Sequence, residues 1–252
     1  MLLLSFDTST LHGSVALISS SPSFSVLGSV SSNIKLTYSE KLLPLIESVL
    51  KNSGYEVKDI EGLVVCEGPG SFTGLRIGLT TAAGLARALQ LKIACVKSLD
   101  VIAMNVLTEN AYICPLIQSR KNEVYAAVYV HENGLPYLKS SYLARSVDEL
   151  LQVLQSDFSD KKVILLGNAL FEYQEFFEKS CGNKLQIAPS PFWNARAENL
   201  GFLGALKFQK GDLKNYNELE PFYLRSNYVL PVIATLSSRA EGEGSRFYER
   251  ER

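Results

Sequence analysis

The sequence predicts an α/β fold of two lobes, each a mixed sheet flanked by helices. Three observations carry that prediction. Short apolar runs and helical periodicities alternate in the order strand, strand, strand, helix, strand, helix, strand. A weaker version of the same order begins after Ser98. The 252 residues, 46% of them hydrophobic, suffice for one large or two modest domains. The order is that of a ribonuclease-H-like sheet, so residues 1–98 are read as an N-terminal lobe and residues 99–228 as its degenerate copy.

The first lobe opens with strands at 2–6, 14–18 and 24–30, parted by Asp7-Thr8-Ser9-Thr10 and by a Ser-Pro turn around Pro22. Thr37 or Ser39 then starts an amphipathic helix, with Leu42, Leu43, Ile46, Val49 and Leu50 at helical spacing, ending near Gly54. A buried strand at 62–66 runs into Gly68-Pro69-Gly70-Ser71-Phe72-Thr73-Gly74-Leu75-Arg76-Ile77-Gly78, and a strand at 93–96 closes the lobe. Gly68 and Gly70 permit backbone angles closed to other residues, and Ser71 or Thr73 can cap the following helix. The positive end of that helix suits an anion.

Known phosphate motifs fail on spacing. A Walker loop needs glycines five apart followed by Lys-Ser/Thr, whereas Gly68 and Gly74 are six apart with Leu75-Arg76 behind them. Thr73 stands where the dinucleotide fingerprint needs its third glycine. Within the helix, Gly74, Gly78, Ala82 and Ala86 recur every fourth residue and form one bare ridge, widened by Ala83, Gly84 and Ala88. Interior glycines disfavour a helix, so close approach of another surface is expected to offset them. That surface is either the chain's own sheet or a partner protein. The latter reading makes Gly78→Leu and Ala82→Arg disruptive to pairing and harmless to the fold.

The second lobe reads as a helix at 99–107, strands at 112–117, 124–130 and 137–143, a helix at 147–154, a strand at 162–166 and a helix from Gly167-Asn168 to Cys181-Gly182. A helix at 195–208 follows; it belongs to this lobe or packs back on the first. Residues 221–225 are extended, and 229–252 form a tail expected to be mobile.

Composition removes several classes. A formal charge of −1 excludes a polybasic protein that wraps nucleic acid unaided. The apolar opening stops at Asp7, too short for a signal core, and no run reaches membrane-spanning length. Four single cysteines are expected as buried thiols in a reducing cytosol. The two histidines, His12 in a turn and His131 at a strand end, cannot supply a two-histidine zinc helix, and no Gly-x-Ser-x-Gly elbow exists. Asp7 with Thr8 and Ser9 can either orient a magnesium-bound phosphate or close a hairpin turn. A phosphate hairpin favours glycine after the aspartate, where Thr8 stands. Ser119-Arg120-Lys121-Asn122-Glu123 is either a solvated loop or the polar rim of an interdomain cleft, and Trp193 is a core anchor.

Residues 4–10, Ser39-Glu40-Lys41-Leu42-Leu43-Pro44 and above all Gly68 to Gly78 resemble the TsaB (YeaZ) family; Arg120 with Glu123-Val124-Tyr125, and Tyr223-Leu224-Arg225, extend the match. The resemblance runs from Leu2 to about Arg225. The paralogous TsaD carries a His-x-x-x-His metal pair that this chain lacks. Tyr38 stands where the family often has His, and Gln118 where it often has Asp. The resemblance implies a two-lobed fold of the actin/sugar-kinase (ASKHA) type without activity of its own, a cytoplasmic accessory subunit. It implies pairing with TsaD and, with the ATPase TsaE, threonylcarbamoyl transfer to the adenosine beside the anticodon of tRNA, so that tRNA is met through the complex. The alternative is an autonomous enzyme, a nucleotide-dependent phosphotransferase or a glycopeptidase-like hydrolase. The implied pairing surface lies on helices 39–50 and 73–88, with Glu40, Leu43, Gly74, Gly78, Ala82 and Ala86 as contacts, and serves a homodimer when the chain is alone. The chain is expected to hold no cofactor or metal of its own. ATP, ADP or a divalent cation is placed only at the partner contact, against Asp7, Thr8, Ser9, Gly68, Gly70, Ser71, Thr73 and Arg76.

Overall fold

The computed structural model describes residues 1–33, 38–180, 182 and 184–224. The tail, Cys181 and Arg225 lie outside them. The first lobe is built from β1 (Leu2–Asp7), β2 (His12–Ser19), β3 (Ser25–Asn33), α1 (Tyr38–Asn52), β4 (Gly62–Gly68), α2 (Phe72–Leu89) and β5 (Ile93–Lys97). Its sheet has the order β3-β2-β1-β4-β5, antiparallel across the first three strands and parallel across the last three. His12 opens β2 opposite Asn33 instead of sitting in the turn.

The short helix α3 (Ser98–Ala103) leads into β6 (Ala111–Gln118), β7 (Glu123–Ala126), β8 (Tyr129–Glu132), β9 (Leu135–Leu138), β10 (Leu143–Ser146), α4 (Val147–Asp157), β11 (Lys162–Leu166), α5 (Leu170–Ser180) and β12 (Leu185–Ile187). Taking β7 with β8 and β9 with β10, the strands repeat the order and directions of the first sheet. Each expected strand, 124–130 and 137–143, is broken because Val128 leaves the ladder. Its N–H is donated to Ser140 Oγ at 2.9 Å, and its carbonyl accepts from Lys139 N–H at 2.7 Å. The helix expected over 99–107 stops at Ala103, where the Asn105 side-chain amide donates to the carbonyls of Phe192 and Asn194, both at 2.8 Å.

The alternation along β1 sends its side chains into two cores. Leu4 and Phe6 join Leu42, Ile46, Val49, Leu79 and Ala82 beneath α1 and α2. Leu3 on the opposite face belongs to a cluster that continues without interruption through Leu99 and Leu116 to Leu150 and Phe177 of the second lobe. The two lobes therefore share apolar contact as well as a chain.

The last helix, α6 (Ala197–Lys210), ends at Gly211 with φ of 71° and lies across β1, β2, β4 and β5 of the first lobe. Ser5 Oγ donates to the Ala197 carbonyl at 2.7 Å. Two glycines allow this approach: a side chain at Gly201 would meet Ile18 at 2.6 Å, and one at Gly204 would collide with Val64. Trp193, 4% exposed, anchors the entry to α6 by donating from Nε1 to the Ala188 carbonyl at 2.7 Å. The segment expected as extended near 221 has no ladder of its own; the Phe222 N–H donates to the Glu67 carbonyl at 2.6 Å.

Because Val64 is buried on every side, Gly204→Val is expected to lower the unfolding free energy by about 1–3 kcal/mol. A urea titration measures it; an unshifted midpoint would contradict the close seating of α6.

Candidate functional site

The glycine segment is folded around the chain's own first turn. Ser71 N–H donates to the Ser9 carbonyl at 2.7 Å, and a side chain at Gly70 would collide with that same carbonyl. One turn into α2, a side chain at Gly74 would collide with the Thr8 carbonyl, and one at Gly78 with Thr8 Oγ1. Thr8 Oγ1 donates to the Gly74 carbonyl at 2.7 Å. The β1–β2 turn thus sits in a notch cut by glycines at 70, 74 and 78.

This corrects the ridge. Gly74, Gly78, Ala82 and Ala86 are buried against the first lobe's own sheet and turn, so they are not surface available to a partner. Of the two substitutions expected to spare the fold, Gly78→Leu would strike Thr8 and Ala82→Arg would bury a charge. The outward stripe of α2 consists of Thr73, Arg76, Thr80, Gly84 and Arg87, and nothing lies within 4 Å of a side chain built at Gly84. On neighbouring α1, Glu40, Pro44 and Glu47 are exposed, as is Leu43 at 53%.

Ser71 is the helix cap, its Oγ accepting from Gly74 N–H at 3.2 Å, whereas Thr73 is exposed on the helix. Asp7 is completely buried. Its Oδ1 accepts from Ser9 N–H at 2.9 Å, the turn-closing bond of an aspartate, while Oδ2 makes no hydrogen bond among the described residues. Burial pushes its pKa up against the opposing influence of Ser9 and Cys66.

The residues proposed for an anion therefore separate. Ser9, Gly70 and Ser71 reach an interlobe cleft of about 260 Å³. Asp7 and Thr8 are sealed behind them. Gly68, at φ of 113°, faces the Phe222 carbonyl, and Thr73 and Arg76 lie on the outer edge of α2. From the second lobe the cleft receives Gln118, Ser119, Arg120 and Asn168, so the 119–123 turn is a cleft rim. The four loops are two equivalent pairs: the turns after β1 and β6, and the turns after β4 and β11.

A feature unseen in the sequence closes the site from the C-terminal side. Glu67 pairs with Lys97 Nζ at 2.9 Å and Lys214 Nζ at 3.0 Å. Burial acts to raise its carboxyl, but the two cations bring it below the usual range. Lys97 Nζ also stands 3.5 Å from the centre of the Phe222 ring. Next in the chain, Tyr223 stacks on Phe72 with ring centres 5.6 Å apart, and the guanidinium of Arg76 lies 3.9 Å from the centre of the Phe72 ring. The adjacent aromatics at 222 and 223 were the one available signal.

Residues 26–229 match the family model described as TsaD: tRNA N6-adenosine threonylcarbamoyltransferase. The tRNA threonylcarbamoyladenosine biosynthesis protein TsaB of Bacillus subtilis is 30% identical over 89% of this chain and 94% of its own length. The chain belongs to the TsaB family. A Pseudomonas aeruginosa structure, described as an uncharacterized protein with similarity to peptidase YEAZ, superposes with a TM-score of 0.77 at 25% identity, covering 89% of this chain and 99% of the other. The ethanolamine utilization protein EutJ from Carboxydothermus hydrogenoformans superposes at 0.52 with 11% identity, covering 82% and 90%, a likeness of fold alone. The family and the doubled sheet order together make this an actin/sugar-kinase type fold.

The notch separates two glycines of the same helix. Gly78→Ala is expected to destabilise by about 1–3 kcal/mol through the Thr8 clash, while Gly84→Ala stabilises by up to about 1 kcal/mol through helix propensity. Chemical denaturation of both decides it; equal effects of one sign would contradict the notch. Below about pH 4 the Asp7 carboxyl is neutral folded or unfolded, and above it the unfolded chain ionises while the buried group resists. Asp7→Asn is therefore expected to exceed the native chain in stability at pH 7, with the gap shrinking as pH falls toward about 4 and absent below it. A gap independent of pH would contradict it.

Proposed function

We propose that this chain is the non-catalytic subunit of a tRNA threonylcarbamoyladenosine-forming assembly. It pairs with a TsaD-type catalytic subunit and, with a TsaE-type ATPase, supports threonylcarbamoyl transfer to the adenosine beside the anticodon. The observation that carries the reading is the paired outward face of α1 and α2, with Leu43 53% exposed and Gly84 open. An exposed leucine beside a helix position without a side chain suits close helix-to-helix contact. Family membership favours the same pathway. The turn that would offer Asp7 to a nucleotide is instead closed by Thr8, which favours an accessory over a catalytic role.

On this reading ATP, ADP or a divalent cation belongs at the intersubunit contact, and tRNA is met through the assembly. The same helices serve a homodimer when the partner is missing. The assembly works in the cytoplasm; no helix among the described residues is long and apolar enough to cross a membrane.

Reconstitution with TsaD- and TsaE-type proteins tests the function. Threonylcarbamoyl transfer to tRNA is expected to vanish when this chain is omitted, and undiminished transfer without it would refute the reading. Within a working assembly, Leu43→Glu is expected to weaken pairing by about 1–3 kcal/mol while leaving the chain's unfolding midpoint unchanged. Titration calorimetry reads the first quantity and urea unfolding the second; unaltered affinity would remove α1 from the contact.

A further inference from the structure

We infer that Arg76 is a pre-positioned anchor for a carboxylate on the pairing partner. The inference rests on the pairing proposed above. Arg76 is exposed on the outer edge of α2, yet its guanidinium is stacked 3.9 Å from the centre of the Phe72 ring. Phe72 is itself stacked on Tyr223, and the preceding Phe222 is tied to Glu67 through its backbone N–H. The arginine therefore sits at the end of a braced column. Stacking on an aromatic face leaves the edge of the guanidinium free, and that edge carries donors in a rigid fork matched to two oxygens.

Among the described residues, no carboxylate lies within ion-pair distance of Arg76. Helix α2 contains two arginines and no acidic residue. Arg87, the other, lies farther along the stripe toward Tyr216, 6.0 Å from the ring centre. Between them Thr80 and Gly84 offer no bulk, so a partner backbone can come close enough for a short acidic side chain to reach Arg76. The first α2 amides near it are partly satisfied, since Ser71 Oγ caps Gly74 N–H. The fork matches two oxygens of a carboxylate or of a phosphate alike, and on a face proposed to meet another protein it is a side-chain carboxylate that comes within reach.

The test measures the affinity of the full chain for a TsaD-type protein at low and at high salt, first without nucleotide and then with ADP or ATP added. Native affinity establishes the pairing first; no binding by the native chain would remove the proposed function and this inference with it. Given native binding, Arg76→Glu is expected to weaken affinity at least about ten-fold, with a reduced salt dependence. Arg76→Lys is expected to recover only part of the loss, because lysine lacks the fork. Changing the partner's acidic residues singly to lysine is expected to reveal one that restores binding to Arg76→Glu. Variants that pair as the native chain does would overturn the anchor while leaving the pairing intact. A loss seen only when ADP or ATP is present would also overturn it, by assigning a phosphate to Arg76.

Discussion

The seating of the Thr8–Ser9 turn in the notch of α2 is the constraint on which the rest of this structure depends. A turn can lie directly on a helix only where the helix has no side chains, and Gly74 and Gly78 remove them over one full turn. Thr8 then fills the space with its methyl and hydroxyl and bonds the Gly74 carbonyl. This contact sets the depth of α2 on the sheet and brings Ala82 and Ala86 into the core. By sealing Asp7 behind Thr8 it also decides what the fold does not present. The outward stripe of α2 is a consequence: with the small residues turned in, the threonines, the arginines and Gly84 are left facing out.

A second constraint holds the two lobes in one body. The chain leaves the second sheet, returns as α6 across the first, and continues along β5, where Lys214 and Ile93 exchange backbone bonds of 2.8 and 3.0 Å. Glu67 then collects Lys97 and Lys214, and Phe222 lies over Lys97. A buried carboxylate with two cations avoids the penalty that either charge would suffer alone, which gives the pairing a geometric role more than a large net stabilisation. Its effect is to fix the aromatic pair at 222 and 223 at the rim of the cleft. Through Phe72, that position reaches the outer edge of α2.

Much of the fold was legible in the sequence because the periods of burial differ between strand and helix. Leu42, Ile46 and Val49 on α1 report one face directly, whereas β1, buried along its whole length, reads as a strand without showing which side chain enters which core. The breaks at Val128 and at 139–142 were not legible, since they arise from hydrogen bonds of the Val128 backbone to Lys139 and Ser140 that leave no apolar pattern. The four-residue repeat of α2 was visible, but periodicity names a stripe without naming what faces it. Thr8 stood as a defect in a phosphate hairpin and is in fact the residue that occupies the stripe. Glu67 and Lys214, 147 positions apart, could be joined only by the fold.

Turn and helix form one unit with the sheet. Native-state hydrogen exchange of the Ser71 amide, which donates to Ser9 across the notch, tests it most directly. If the notch is integral, this amide is protected to the same free energy as the amides of β1 and β2 and opens only with global unfolding. Exchange through a local opening of much lower free energy would show that α2 can leave the turn by itself, and would contradict the account.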